Sequence, residues 1–338
     1  MTEQTKHQKQ TFILGAGFSK AVADTMPLLN ELSQEIKQKI DNTQDEDIKH
    51  FWNDFIIKNN IGNIQDKDTA NFEDILTYLS TNFTYENYKG IGLKNILYEY
   101  IKEQIVEIFK EKNIEKEIKD DQYLKNFLNY LVDTKTNVCT FNYDLVLENS
   151  FKKIKPDAKD NHFKDLYIIQ KIDTGLMSFF SEKNDDILKN TINIYKLHGS
   201  INWLYDKDVQ NGIRVISDGT LPEYKLGLSP LIVPPTISKN FSQLTPLLNI
   251  QWYKFREELE NAEKIYIIGY SIPKTDIATY YALKTLIKHD AKIVIVNKID
   301  ENDEKVKEWK VLFSKQNLEF CFEGFTETFV NKYLKHSS

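Results

Sequence analysis

Three short stretches of this 338-residue chain carry residue types suited to chemistry as much as to packing. Gly15-Ala16-Gly17-Phe18-Ser19 follows the strand-forming run Thr11–Leu14 and leads into helical text. Glycine at a strand–helix junction lets backbone approach a diphosphate, whose charge then faces the first amides of the helix. Thr140, Asn142 and Asp144, in TFNYDLVLE, set an amide and a carboxyl just past another apolar run. His198 ends a third run, with Gly199 and Ser200 read as a turn after it. An unperturbed imidazole titrates near about 6.5, which suits a general base at neutral pH. All three stretches follow strands, and open α/β sheets bind ligands at the carboxyl ends of their strands.

Each stretch also has a plainer reading. The usual dinucleotide fingerprint has a third glycine where this chain has Lys20. It also has an acidic residue at the end of a second strand about twenty residues on, where this text is helical. Asp144 alone reads first as the N-cap of the helix carrying Leu145 and Leu147. Asn142 is harder to dismiss, since no element requires an amide there. The other histidines, at 7, 50, 162, 289 and 336, lie in polar or helical text.

The elements that must position these residues come in two groups. Strand-like runs are TFILG (11–15), NVCTF (137–141), LYIIQ (166–170), INIYKLH (192–198), LIVPP (231–235), KIYIIGY (264–270), AKIVIVN (291–297) and LEFCFEG (318–324). Near-continuous β-branched and aromatic runs are the mark of strands buried on both faces of a parallel sheet. From 28 to 133 the text is helical, with Phe72, Ile75, Leu76 and Leu79 on one face. The later strands alternate with helices, one capped at Thr275-Asp276. The expected fold is therefore α/β: a Rossmann-like, doubly wound, mostly parallel sheet with a large helical insertion after its first strand.

Composition narrows the function. Lys and Arg number 44 against 50 Asp and Glu, a net charge of −6, which argues against a nucleic-acid-coating surface. Only Arg214 and Arg256 are arginine, so bidentate grips on phosphate are scarce. Cys139 and Cys321 are the only cysteines; they cannot form a zinc ribbon and read as buried thiols in a reducing cytosol. No metal is expected. The first ten residues form a polar stub, expected to be disordered, and no run approaches membrane-span length, which predicts a cytoplasmic protein without membrane contact.

GAGFS, then T-x-N-x-D, then LHGS, in that order, resemble the sirtuin family. IIGYSIPKTD (267–276) and VIVNK (294–298) are similar to that family's later elements. The protein-deacylase branch has a Pro-Asp-Phe-Arg segment after the glycine turn, whereas Pro27 is followed by Leu28-Leu29-Asn30 here. The text instead resembles the sirtuin-like NADase domains of bacterial anti-phage defence systems, across residues 11 to about 298 but not in the helices of 28–133.

The resemblance implies NAD⁺ as substrate and hydrolysis of its nicotinamide–ribose bond, the chain from residue 11 onward being the catalytic domain. It implies that Asn142 orients the ribose hydroxyls and water, that Asp144 supports that network, and that His198 is the base. It implies that Gly15, Ala16, Gly17 and Ser19 hold the diphosphate and that Phe18 and Thr140 also bind the cofactor. Gly269, Ser271 and Asn297 are the implied adenosine-side contacts. A module that senses NAD⁺ or ADP-ribose without turnover is the rival reading; a protein deacylase ranks below both. A freely active NADase would drain its own cell, so control is expected from a homo-oligomer or an activating partner protein encoded nearby. The helices of 28–133, with Phe51, Trp52, Phe55, Phe83, Tyr85 and Tyr88, are the expected control surface.

Overall fold

The computed structural model describes residues 9–61, 72–81, 83–112, 114–154, 166–167, 192–206, 213–215, 228–234, 246–273 and 276–334. Strand β1 (Gln10–Leu14) is the centre of a six-stranded parallel sheet. Its side chains alternate between two cores: Phe12 and Leu14 enter one, Ile13 the other. Both faces are dry, which explains the unbroken apolar run.

From β1 the chain enters α1 (Ala16–Val22) and then the helical insertion. The insertion comprises α2 (Leu29–Asp41), α3 (Glu46–Phe51) continued as a π-helical turn over Trp52–Ile57, and α4 (Phe72–Ser80). Next come α5 (Tyr88–Glu111), α6 (Ile114–Glu117) and α7 (Gln122–Thr134). Ile36, Ile40, Trp52, Ile75, Leu76, Leu97, Ile101 and Ile108 share one core with Phe12 and Leu14. The insertion is thus one packed body with that face of the sheet.

Its aromatics stack on one another. Phe51, Phe55, Tyr78, Phe83 and Tyr85 form a run of near-parallel rings with successive centroids 5.1, 5.9, 5.9 and 5.3 Å apart. Lys94 is buried against the Tyr78 and Phe83 rings and paired with Glu86 at 2.8 Å. The middle of the run is internal packing; Tyr85 at its end is 80% exposed.

The sheet continues with β2 (Val138–Thr140), α8 (Val146–Ile154) and β3 (Ile194–Lys196). Then β4 (Gly199–Asp206), β5 (Ile213–Val215) and β6 (Leu228–Ile232) make a separate antiparallel sheet in the order β5-β4-β6. This corrects two expectations. Gly199-Ser200 begin a strand, the turn being at Leu197–His198, and the apolar run at 231–235 supplies an antiparallel strand rather than a member of the main sheet. The apolar character of both runs comes from burial in the small sheet, which apolar content alone does not distinguish from a parallel core. Of the run at 166–170, Leu166 and Tyr167 are not strand and the rest lies outside the described residues.

The chain returns through α9 (Pro246–Asn261) to β7 (Lys264–Ile268), α10 (Ile277–Leu286), β8 (Lys292–Val296), α11 (Glu304–Leu312), β9 (Asn317–Cys321) and α12 (Glu327–Tyr333). The strand order is β3-β2-β1-β7-β8-β9. The fold is the expected Rossmann-like one. Winding reverses between β1 and β7, so the crevice beyond their carboxyl ends is the switch point where such sheets take ligands.

Candidate functional site

At that switch point two glycine turns interlock. Gly15 N–H donates to the Ile268 carbonyl at 2.9 Å and Gly17 N–H to the Gly269 carbonyl at 2.8 Å. A Cβ on Gly15 would stand 2.6 Å from the Gly269 oxygen, and one on Gly17 2.8 Å from the Gly269 Cα. Gly269 has φ +64 and faces the Phe18 amide. Close approach of backbone to backbone therefore accounts for all three glycines. Of Gly15, Ala16 and Gly17, only Ala16 keeps its N–H out of these bonds. Phe18 is a core residue, its ring 4.9 Å from Phe325.

Beside the turn lies a chained network at the end of β2. The Thr140 hydroxyl donates to the Leu14 carbonyl at 3.1 Å and accepts the Asn142 N–H at 3.1 Å, which fixes the start of the loop. The Asn142 amide nitrogen donates to the Gly15 carbonyl and to Ser19 Oγ, both at 2.9 Å. The Ser19 hydroxyl donates in turn to Asp144 Oδ1 at 3.0 Å, and that oxygen also accepts the Val146 N–H at 2.9 Å. Asp144 thus opens α8, as its plainer reading held, and also anchors Ser19. Because Gly15 presents a carbonyl, the Asn142 nitrogen must face it, and Oδ1 turns the other way. Among the described residues no hydrogen bond reaches that Oδ1.

Asp144 is buried, and burial pushes its carboxyl above the ordinary range, although Lys196 and the Val146 and Ser19 donors pull the other way. Lys196, on β3, donates to the Asp144 carbonyl and lies 3.1 Å from Glu148, which also accepts from Tyr167 at 2.7 Å. A lysine inside the apolar run INIYKLH was the sequence signal for this buried pair.

His198 follows β3 and is nearly buried. Its ring sits 5.0 Å from Phe141 and 6.4 Å from both Tyr143 and Trp252, measured between centroids. Tyr270 stacks on Phe141 at 4.4 Å. Asp276 Oδ2 lies 3.5 Å from His198 Nε2 and accepts the Tyr270 hydroxyl at 2.8 Å. Burial, and then the Asp276 charge, hold the Tyr270 phenol well above its ordinary value, so it remains a donor. Phe141, Trp252 and Tyr270 carry no individual signal in the sequence, and Asp276, at the end of IIGYSIPKTD, reads there as a helix cap. That cap is present, weakly, from Thr279 N–H at 3.4 Å.

Asn297, after β8, donates to the Tyr270 carbonyl at 3.0 Å and so steadies the second turn; Ser271 is exposed on it. Ser19, Asn142 and Asp144 are brought into direct contact, as are Gly15, Gly17 and Gly269. His198 joins them through Phe141 and Tyr270. Among the described residues no group of three or more His, Cys, Asp or Glu is placed to hold a metal, and no helix is long and apolar enough to cross a membrane.

No protein-family model matches the chain, and no curated protein matches it in sequence. Solved structures similar to it include a Sir2 homolog–NAD complex, 13% identical over 97% of this chain and 92% of that one, with a TM-score of 0.45. A mutant Sir2 homologue with 2′-O-acetyl ADP ribose is 14% identical over 100% and 99%, at 0.44. A Sir2 protein bound to a propionylated peptide is 12% identical over 96% and 90%, at 0.41.

Proposed function

We propose that the chain is an NAD⁺ glycohydrolase that splits the nicotinamide–ribose bond, releasing nicotinamide and ADP-ribose. The observation that carries the reading is the pairing, at the switch point, of an asparagine with an open acceptor oxygen and an imidazole held among aromatic rings. The nicotinamide of NAD⁺ is a cationic pyridinium and leaves neutral, taking the electron pair of the C–N bond, so no acid is required. The oxocarbenium-like transition state requires a fixed ribose, a placed water and a base for its proton. Asn142 Oδ1 accepts from the water or a ribose hydroxyl, with Ser19 and Asp144 fixing the amide. His198 takes the proton as the water oxygen bonds to C1′.

The glycine turn meets the diphosphate through the Ala16 N–H, with Ser271 and Asn297 on the adenosine side. In this reading the enzyme depletes NAD⁺ as an effector of anti-phage defence. Its activity depends on self-association or a partner, because a freely active NADase would drain the cell that makes it. Purified protein incubated with NAD⁺ across a range of concentrations, alone and with co-purified neighbours, tests both points. Specific activity should rise with concentration or partner. High constant activity from a dilute monomer would remove the control, and bound but unaltered NAD⁺ throughout would favour the sensing module.

A further inference from the structure

The carboxyl of Asp276 does more than a helix cap requires. A cap uses one oxygen, and Oδ1 serves that purpose toward Thr279. The second oxygen is turned away from α10, held by the Tyr270 hydroxyl at 2.8 Å, and stands 3.5 Å from His198 Nε2. Both side chains are more than nine-tenths buried, at 9% and 5% exposed. An ion pair there is little screened by solvent.

The geometry points to Asp276 as the positioning residue of His198: an Asp–His dyad, clamped by Tyr270, that orients the imidazole and stabilises its protonated form. The ring's other nitrogen, turned away from Asp276, is then the one that accepts a proton. The catalytic half of this inference rests on the proposed hydrolysis. There the water O–H bond breaks as oxygen bonds to C1′, the proton passes to that nitrogen, and the imidazolium is balanced by the Asp276 carboxylate. The Phe141 ring, its centroid 5.0 Å from that of His198, is within cation–π distance of an imidazolium in the same place.

Among the described residues, the titratable groups packed around His198 come from four elements. Tyr143, after β2, and Tyr270, after β7, are phenols that burial keeps protonated well beyond their ordinary value. Glu73, in the first turn of α4, exerts its charge on both phenols from the insertion side. Asp276, ahead of α10, is the carboxylate at ion-pair distance.

The test is a histidine NMR titration of the full chain, labelled at imidazole Cε1, from about pH 5 to 9 in the absence of NAD⁺. The His198 resonance is assigned by its loss in His198→Gln. In Asp276→Asn, which retains a capping side chain, the His198 pKa should fall by about one unit or more, the size of effect an adjacent counter-charge exerts. In Tyr270→Phe, which releases Oδ2 from its other donor, it should rise. Glu73→Gln should move it less than Asp276→Asn. A His198 pKa unchanged in Asp276→Asn, or moved as far by Glu73→Gln, overturns the dyad. If Asp276→Asn does not fold, Tyr270→Phe decides alone: a rise supports the dyad and no change overturns it. Because the titration needs no substrate, a dyad found in a chain that leaves NAD⁺ intact would remove the hydrolase reading alone. A chain that hydrolyses NAD⁺ without the coupling would remove the dyad alone.

Discussion

Strand β2 has an asparagine at each end, and the two are used in opposite ways. Asn137, before the strand, is saturated by the fold: its oxygen accepts both the backbone and side-chain N–H of Asn193 at 3.0 Å, and its nitrogen donates to Glu258 at 2.7 Å. Asn142, after the strand, has its side-chain nitrogen engaged, at 2.9 Å to Gly15 and Ser19, and among the described residues nothing donates to its oxygen. The buried carboxyls beside them differ likewise. Glu258 is held by Asn137 and the Thr11 hydroxyl, neither of which titrates, and ties α9 to the starts of β1 and β2. Asp276 faces His198, which does. Polar groups at the amino edge close on one another and hold strands together; at the carboxyl edge the Asn142 oxygen accepts no hydrogen bond among the described residues, and a carboxylate faces an imidazole.

The sharpest way to break this contrast is at the carboxyl edge. His198→Ala and Asn142→Ala should each lower NAD⁺ turnover per folded molecule by about 10²–10⁴-fold, with the fold retained. Product chromatography and circular dichroism measure the two. Near-parental turnover in either variant would show that the open acceptor or the imidazole has no part in the chemistry.

Gly17→Val probes whether the glycine turn serves the ligand or the fold. Its Cβ would meet the Gly269 Cα at 2.8 Å, so stability should fall by about 1–3 kcal/mol, as overpacking does. A loss of NAD⁺ affinity without any loss in denaturant unfolding would return the turn to ligand binding.

Asn137→Ala is the counterpart at the amino edge. Leaving Glu258 and Asn193 without a partner should cost about 1–3 kcal/mol, read from urea unfolding, with turnover per folded molecule unchanged. Loss of turnover at full stability would abolish the distinction between the two edges.

The smallest effect concerns pH. Burial raises the Glu258 carboxyl above its ordinary range, although Asn137 and Thr11 resist this. A raised folded-state pKa means that the group's contribution is complete below its unfolded pKa and is lost as pH rises through the folded one. Glu258→Gln should therefore flatten the fall in stability over that interval, with little change at acid pH. A variant whose stability declines with pH as steeply as the parent would contradict the assignment.

Much of the sheet was legible because burial on both faces writes continuous apolar runs, as in KIYIIG and KIVIV. The small antiparallel sheet was not, since Ile201, Trp203, Leu231 and Ile232 are equally apolar and their pairing is decided by tertiary contact. The site was half legible. Asn142 and His198 stood out because polar residues end apolar runs, but Asp276 lies 78 positions beyond His198 and carries a local explanation as a cap. Only the return of β7 beside β1 brings it to the imidazole. The glycines stand out in the sequence for the close backbone approach that the structure shows. Their signal, close backbone approach, is the same whether the neighbour is a diphosphate or Gly269.

The measurement that bears most directly on the account is the product balance of NAD⁺ incubated with the purified full chain and its co-purified neighbours. Nicotinamide and ADP-ribose should appear in equal amounts as NAD⁺ disappears, and neither should appear with His198→Ala. Recovery of all NAD⁺ intact at every protein concentration, with or without those neighbours, would contradict it.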